Sequence, residues 1–337
     1  MTELSRRDVL RAVGTGVAAS TAGAGTASAA SSDTGGWQAV ESPTDRTLTD
    51  VAHTAGGTYA VGGGGVVIER ESNGKRAPGE AAWRTVTANG PDGNGSNLAA
   101  AAATDDGTRL WVVGASGALA ELDVSTNEFV SYRAPDDVTN EFTSVAVSGS
   151  GADAAVHVGD ASGHVHVSTG SADDGRTWTH VTPGSGASVR GLAMRDATTG
   201  ALVDANGSVF ETTDGTSWER VGVEDVDGGL YDVTVTGGQT RVAGGALHLE
   251  ADGGWGRTDP TQKTLYDIEM GSCGCIHAVG AGGTILHRPG HDIPGGVTVA
   301  RWLGLWDEAS PVETTLHGVV MGDPHVAVGA NGTIVER

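Results

Sequence analysis

Cys273, Cys275 and His277 form a compact C-x-C-x-H run within GSCGCIHAVG. Two thiolates and an imidazole suit a soft metal, with His287 or His291 as further ligands; the two sulfurs can instead close a small disulfide ring in an oxidising compartment. The spacing matches no zinc motif, so no metal or other cofactor is expected. A second group is cationic: Arg46, Arg133, Arg190 and Lys263 read as members of the loops that lead from one repeat unit into the next, in a chain with 20 basic and 42 acidic side chains. A scarce cation where loops converge can grip a carboxylate or an acidic peptide, although pairing with the abundant Asp and Glu competes. A third group is acidic: Asp50, Asp232 and Asp267 each stand before a Val or Ile, where Ser144 and Gly191 stand elsewhere. Repeated carboxylates of this kind hold a hard cation or polar ligand, or they bond backbone N–H groups of a neighbouring element; the second reading is favoured. Asn94, Asn206 and Asn331 open N-G-S or N-G-T acceptor sequences, two of them at apparent hairpin turns. No nucleophile and base are paired at a spacing that would mark a catalytic site.

These residues need a scaffold, and a repeat supplies it. The 337-residue chain contains 55 Gly and carries a net charge of -22. Seven units recur, each with an L-x-D-V-like strand, a polar turn, an A-V-G strand, a tight Gly turn, a strand ending in charge and a Trp-bearing strand. The first strands begin at Leu48, Leu98, Phe142, Val189, Leu230, Leu265 and Leu316. The last begin at Trp37, Trp83, Trp178, Trp218, Trp255 and about Trp302, with Phe129 replacing Trp once. Asn-Gly, Ser-Gly and Gly-Gly between alternating apolar residues are hairpin turns, which need positive φ. Four strands per unit predict an all-β, seven-bladed β-propeller over residues 37–337. The chain opens with a fourth-type strand near Trp37 and ends after a third-type strand at Thr333–Arg337, so pairing of the two would close the ring and remove both edges.

SADDGRTWTHV at 171–181 resembles the BNR or Asp-box repeat, with Ser171, Asp173, Gly175, Thr177 and Trp178 filling its pattern. DGTSWERV at 214–221 resembles a looser form through Asp214, Gly215, Ser217 and Trp218. A carboxylate in such a turn accepts backbone N–H bonds while the Trp packs beneath, a structural role. With the L-x-D-V and A-V-G-x-x-G segments, the chain resembles the photosystem II assembly factors of the Ycf48 type. That resemblance implies a non-catalytic propeller that binds protein. Sialidases also carry Asp boxes, which makes a carbohydrate-active hydrolase the alternative. Their chemistry calls for a substrate-gripping Arg cluster and a Tyr nucleophile. Here Tyr231 and Tyr266 look like repeat positions in Y-D-V and Y-D-I.

Residues 1–29 resemble a twin-arginine export signal, with Arg6 and Arg7 as the pair and a small-residue cleavage site after Ala29; residues 30–36 read as a linker. The Asp-rich, Lys-poor composition resembles that of proteins from salt-loving archaea, where strong screening makes a dense carboxylate surface inexpensive. Such charge argues against nucleic-acid binding, and no apolar run approaches membrane-spanning length. The expectation is a secreted or surface-exposed monomer whose partner is a protein or a cell-envelope component.

Overall fold

The computed structural model describes residues 35–71, 82–170, 175–184, 186–223, 226, 229–251, 254–290 and 306–337. The predicted signal and most of the linker lie outside the described residues, as do Ser171, Asp173, His291 and Trp302. Among the described residues no helix is long and apolar enough to cross a membrane.

The described residues form seven antiparallel four-stranded sheets, a β-propeller as the repeat predicts. The innermost strands are Leu48–His53, Leu98–Ala103, Phe142–Ser148, Val189–Met194, Leu230–Thr236, Leu265–Met270 and Leu316–Val320. Their first residues are essentially inaccessible, from Leu48 at 0% to Leu98 at 1%. A single four-stranded sheet cannot cover its own faces, so each blade packs against the next. Phe142 and Trp178 of blade 3, for example, share a cluster with Trp111 and Leu119 of blade 2. Glycine is required where a hairpin turn meets the neighbouring chain: at Gly332 (φ +70°) a Cβ would lie 1.9 Å from the Thr44 carbonyl oxygen.

The ring closes as the strand order at its ends implies. Blade 7 takes its outermost strand, Gln38–Ala39, from the other end of the chain, pairing Gln38 with Glu336 and Ala39 with Val335. The Val40 N–H adds a bond to the Ile334 carbonyl at 3.0 Å. Trp37, 1% exposed, packs with Ile285 and Ala309 of blade 6 and Leu316 and Val335 of blade 7. On the other side, one Glu336 oxygen accepts bonds from Arg70 Nε (2.9 Å) and Trp83 Nε1 (2.8 Å) of blade 1. The closing blade is therefore fastened to both neighbours.

Two placements differ from the sequence reading. The outermost strand of blade 6 is Asp307–Ala309, directly behind Trp306 rather than at Trp302. In blades 1, 3, 4 and 7 the strand also starts at or one residue after its Trp, and Trp306 keeps that spacing. His277 lies within the strand Ile276–Gly280, every residue of which is buried, and not on the turn that carries Cys273 and Cys275.

Trp37→Ala removes the apolar anchor of the closing strand and should cost ~3–5 kcal/mol, while Glu336→Ala leaves Arg70 and Trp83 without this acceptor and should cost ~1–3 kcal/mol. Equilibrium denaturation in urea measures both. Full wild-type stability in Trp37→Ala would contradict the closure described.

Candidate functional site at the channel mouth

In every blade the ladder between the first two strands slips by one residue near the start of the inner strand: between Leu48 and Asp50, Leu98 and Ala100, Phe142 and Ser144, Val189 and Gly191, Leu230 and Asp232, Leu265 and Asp267, and Leu316 and Gly318. A bulge leaves one residue outside the ladder and re-aims its side chain. The seven bulged residues are Thr49, Ala99, Thr143, Arg190, Tyr231, Tyr266 and His317, and all seven line one cavity of about 120 Å³ at the channel mouth. Across blades 1 to 3 they are small. The hydroxyls of Thr49 and Thr143 turn onto carbonyls of the next blade, Leu98 at 2.9 Å and Val189 at 2.5 Å.

Across blades 4 to 7 the same position carries large groups in mutual contact. The Arg190 guanidinium lies 4.6 Å from the centroid of the Tyr231 ring. Tyr231 meets Tyr266 edge-on at 5.0 Å, and Tyr266 meets His317 at 5.7 Å. Burial lowers the His317 pKa and favours neutral imidazole. The arrangement offers one guanidinium and three adjoining ring surfaces, which suits carboxylate, aromatic and amide groups of a ligand.

Directly beneath lie Asp50, Asp232 and Asp267. Asp50 accepts the N–H groups of Val51 (2.7 Å) and of Ala101 in blade 2 (2.8 Å). Asp232 accepts from Ile268 of blade 6 at 3.1 Å, and Asp267 from Ile268 (2.8 Å) and from Val319 of blade 7 (2.6 Å). One layer deeper, Glu269 accepts the Met321 N–H of blade 7. The carboxyls thus tie adjacent inner strands together. A glycine in the preceding blade makes room for two of the ties: a Cβ on Gly191 would lie 2.7 Å from Asp232 Cα, and one on Gly318 would lie 3.0 Å from Asp50 Cα. Burial pushes Asp50 and Glu269 up to about 8, helped in each case by the charge of Asp267. Burial and the adjoining Asp267 carboxyl raise Asp232 well above the ordinary range, and burial raises Asp267 as well. Protonated carboxyls already engaged with backbone are poor ligands for a hard cation.

The four cations singled out from the sequence do not converge. Arg46 bonds the carbonyls of Gly64 and Ala88, both at 2.9 Å, and so clamps loops. Lys263 occupies the equivalent place over Gly282 in blade 6. Arg133 faces Asp92 at 3.5 Å. Arg190 alone of the four lines the mouth, and it stands on the inner strand rather than in a loop. Its Nη1 meets the Leu230 carbonyl at a long 3.5 Å, and the five-donor fork has further N–H groups to offer a ligand.

Cys273 and Cys275 are bonded to each other, so neither offers a thiolate. His277 is buried, stacks on His287 at 4.7 Å and lies 5.0 Å from His325. Burial, followed by the neighbouring His287 and His325, lowers its pKa to about 3. Among the described residues, the donors that converge on one point are instead Asp160, His164 and His166 of blade 3. In the looser Asp box, Asp214 accepts the N–H groups of Thr216 (2.8 Å) and Ser217 (2.6 Å), Gly215 takes φ +79°, and Trp218 is half-buried. In the fuller box, Gly175 and Thr177 are exposed and Trp178 is buried.

Sequence reasoning passed over Tyr231 and Tyr266 as repeat positions and did not single out His317. The available signal was the contrast within the motif: its second residue varies from Ala to Tyr while the flanking residues stay apolar or small.

No protein-family model matches the chain, and no curated protein matches its sequence. Solved structures do match. Ycf48 bound to a D1 peptide is 15% identical with a TM-score of 0.66, over 89% of this chain and 94% of that one. Ycf48 from Cyanidioschyzon merolae is 15% identical with a TM-score of 0.64, over 89% and 98%. Virginiamycin B lyase from Staphylococcus aureus is 11% identical with a TM-score of 0.70, over 89% and 98%. At such identities the similarity establishes the fold, which hosts binding proteins and enzymes alike.

The pH response follows from the buried groups. The Glu269 pKa is raised on folding, so its contribution is full below the unfolded value near 4.5 and is lost as pH rises through about 8. His277 behaves oppositely: its pKa is lowered, so stability is full above about 6.5 and falls as pH drops toward 3. Glu269→Gln should therefore gain stability over wild type at pH 9 and match it near pH 4, as read by thermal melts across pH. Equal differences at both pH values would show that Glu269 does not titrate as described.

Proposed function

We propose that this chain is an exported, non-catalytic propeller that binds a protein or cell-envelope partner at the channel mouth. The observation that carries this reading is the contiguous row of Arg190, Tyr231, Tyr266 and His317, mounted on four successive bulges above a cavity of only about 120 Å³. Pockets that enclose small substrates typically measure ~300–1,000 Å³. A ligand here lies across the rings instead of sinking into the channel, as an extended segment of a partner does. Arg190 supplies the anchor for a carboxylate, and the aromatic faces supply apolar contact with little loss of side-chain freedom. The Ycf48 structure with its D1 peptide supports peptide recognition as a use of this fold. Export rests on the twin-arginine-like residues at the start of the chain.

A catalytic reading has one observation in its favour: Asp232 and Asp267 form a buried, proton-sharing pair beside two tyrosines and an arginine. The pair's bonds to Ile268 and Val319 account for its position without a reaction.

The test is affinity capture from host extract at high ionic strength with wild type, Arg190→Ala, Tyr231→Ala and Arg46→Ala. Loss of a co-eluting partner from the two mouth variants, with retention by Arg46→Ala, is the expected result, a drop of roughly tenfold or more for anchors of this kind. Identical capture by all four proteins, or turnover of the captured ligand, would refute the reading.

A further inference from the structure

The hairpin turn between the second and third strands recurs around the ring, and in blade 3 the Asp that opens it also meets two histidines. In blade 4 the turn runs from Asp204, whose Oδ1 accepts the N–H groups of Asn206 (2.9 Å) and Ser208 (2.8 Å). In blade 3, Asp160 Oδ1 does the same for Ser162 (2.8 Å) and His164 (2.9 Å). One oxygen is thus enough to hold the turn. The other, Asp160 Oδ2, is fully buried and faces His164 Nδ1 and His166 Nε2, both at 3.1 Å. The place of His164 is taken by Val66, Ala118, Ser208, Thr284 and Thr333 in other blades, and that of His166 by Ile68, Ala120, Phe210, Leu286 and Val335 in five of them and by the buried His248 in blade 5, where Gly244 replaces the Asp. His166 stands at a core position that is apolar in five of the other blades, packed 5.3 Å from the Phe142 ring with 4% of its side chain exposed. An imidazole there is costly unless a polar partner repays its desolvation.

The geometry suits an ion. Residues two apart on a strand share a face, and His180 on the outermost strand is the cross-strand partner of His166. The three imidazole centroids lie 5.5, 5.7 and 6.1 Å from one another. The donor atoms of Asp160, His164 and His166 all fall within 4.8 Å of one another, and His180 stands next to this set without belonging to it. Ligands at ~2.0–2.1 Å around a tetrahedral zinc ion stand ~3.3 Å apart, close to the two edges seen at Asp160. Asn140 Nδ2 donates to the same Oδ2 at 2.8 Å and orients it, the part a supporting residue plays around a metal. His164 is one-third exposed, which gives an ion a route in.

We propose that Asp160, His164 and His166 bind a divalent transition ion of the zinc class, with His180 as the fourth ligand from the outermost strand. The site lies on the hairpin of blade 3 and is distinct from the mouth row and from the Cys273–Cys275 turn. Imidazole nitrogens with one carboxylate favour zinc, cobalt or nickel over calcium or magnesium.

The experiment uses the full chain without a histidine tag, stripped with a chelator and titrated with Zn²⁺ by calorimetry and with Co²⁺ by visible absorption. Wild type should take up one ion per chain, show a Co²⁺ ligand-field band, and melt at a higher temperature with zinc than without. His166→Leu, which installs the residue blade 6 carries, should abolish the band while the metal-free protein melts no lower than wild type. His164→Ala, as in blade 2, should weaken binding at least ~10-fold. His325→Ala, at the separate His277 cluster, should bind as wild type does. Substoichiometric uptake by wild type, or equal uptake by wild type, His166→Leu and His164→Ala, would overturn the site.

Discussion

A propeller blade is a sheet too small to bury both of its faces, so none of the seven is stable except between two others. That dependence runs around the ring and meets itself at blade 7, where residues separated by nearly the whole chain must pair: Gln38 with Glu336 and Ala39 with Val335. Two paired residues are a weak sheet edge taken alone. Their strength comes from what flanks them, Trp37 buried against blade 6 and Glu336 held by Arg70 and Trp83 of blade 1. Around the axis the same problem is met with carboxyls, each reaching a backbone N–H of the following blade from Asp50, Asp232, Asp267 and Glu269. Burying four acids in one channel is tolerable because burial raises all four pKa values, those of Asp50 and Glu269 to about 8, which spares the channel the repulsion that full ionisation would bring.

The bulges connect this architecture to the proposed recognition. The ladder slip occurs at one position in all seven blades, so the residue beside each tie is freed from pairing and presented at the mouth. Its identity is then unconstrained by the fold. Blades 1 to 3 use it for small residues, two of which bond the next blade. Blades 4 to 7 use it for a cation and three rings in contact. A symmetric scaffold with an asymmetric mouth is what selective binding of one extended ligand requires, since seven equal positions would give no preferred orientation.

Much of the fold was legible in the sequence because turn chemistry and strand alternation repeat seven times, and each copy reinforces the others. Blade count, closure and the starts of the inner strands all followed from that repetition. Trp302 was mistaken for the start of an outer strand because two tryptophans lie close together and only packing distinguishes Trp306. The role of Asp50, Asp232 and Asp267 as ties was legible as the favoured of two readings. The candidate site was much less so. Arg190 stood out as a scarce cation, but the lack of convergence among Arg46, Arg133 and Lys263 depends on three-dimensional loop paths. Tyr231, Tyr266 and His317 become a row only when successive blades are set side by side, because roughly equal spacing in the chain gives no indication of contact across the ring. His164, His166 and Asp160 were visible as H-x-H after an Asp, yet the repeat masked them, since the Asp already had a turn to hold.

The central claim is that ligands meet the face carrying Arg190 and Tyr231. Site-specific photocrosslinking tests it most directly, with a photoreactive phenylalanine replacing Tyr231 in one protein and His325 on the opposite face in another. The account predicts a discrete covalent adduct from position 231 in host extract, diminished when Arg190 is also replaced by Ala, and none from position 325. Adducts formed from position 325 alone would contradict it.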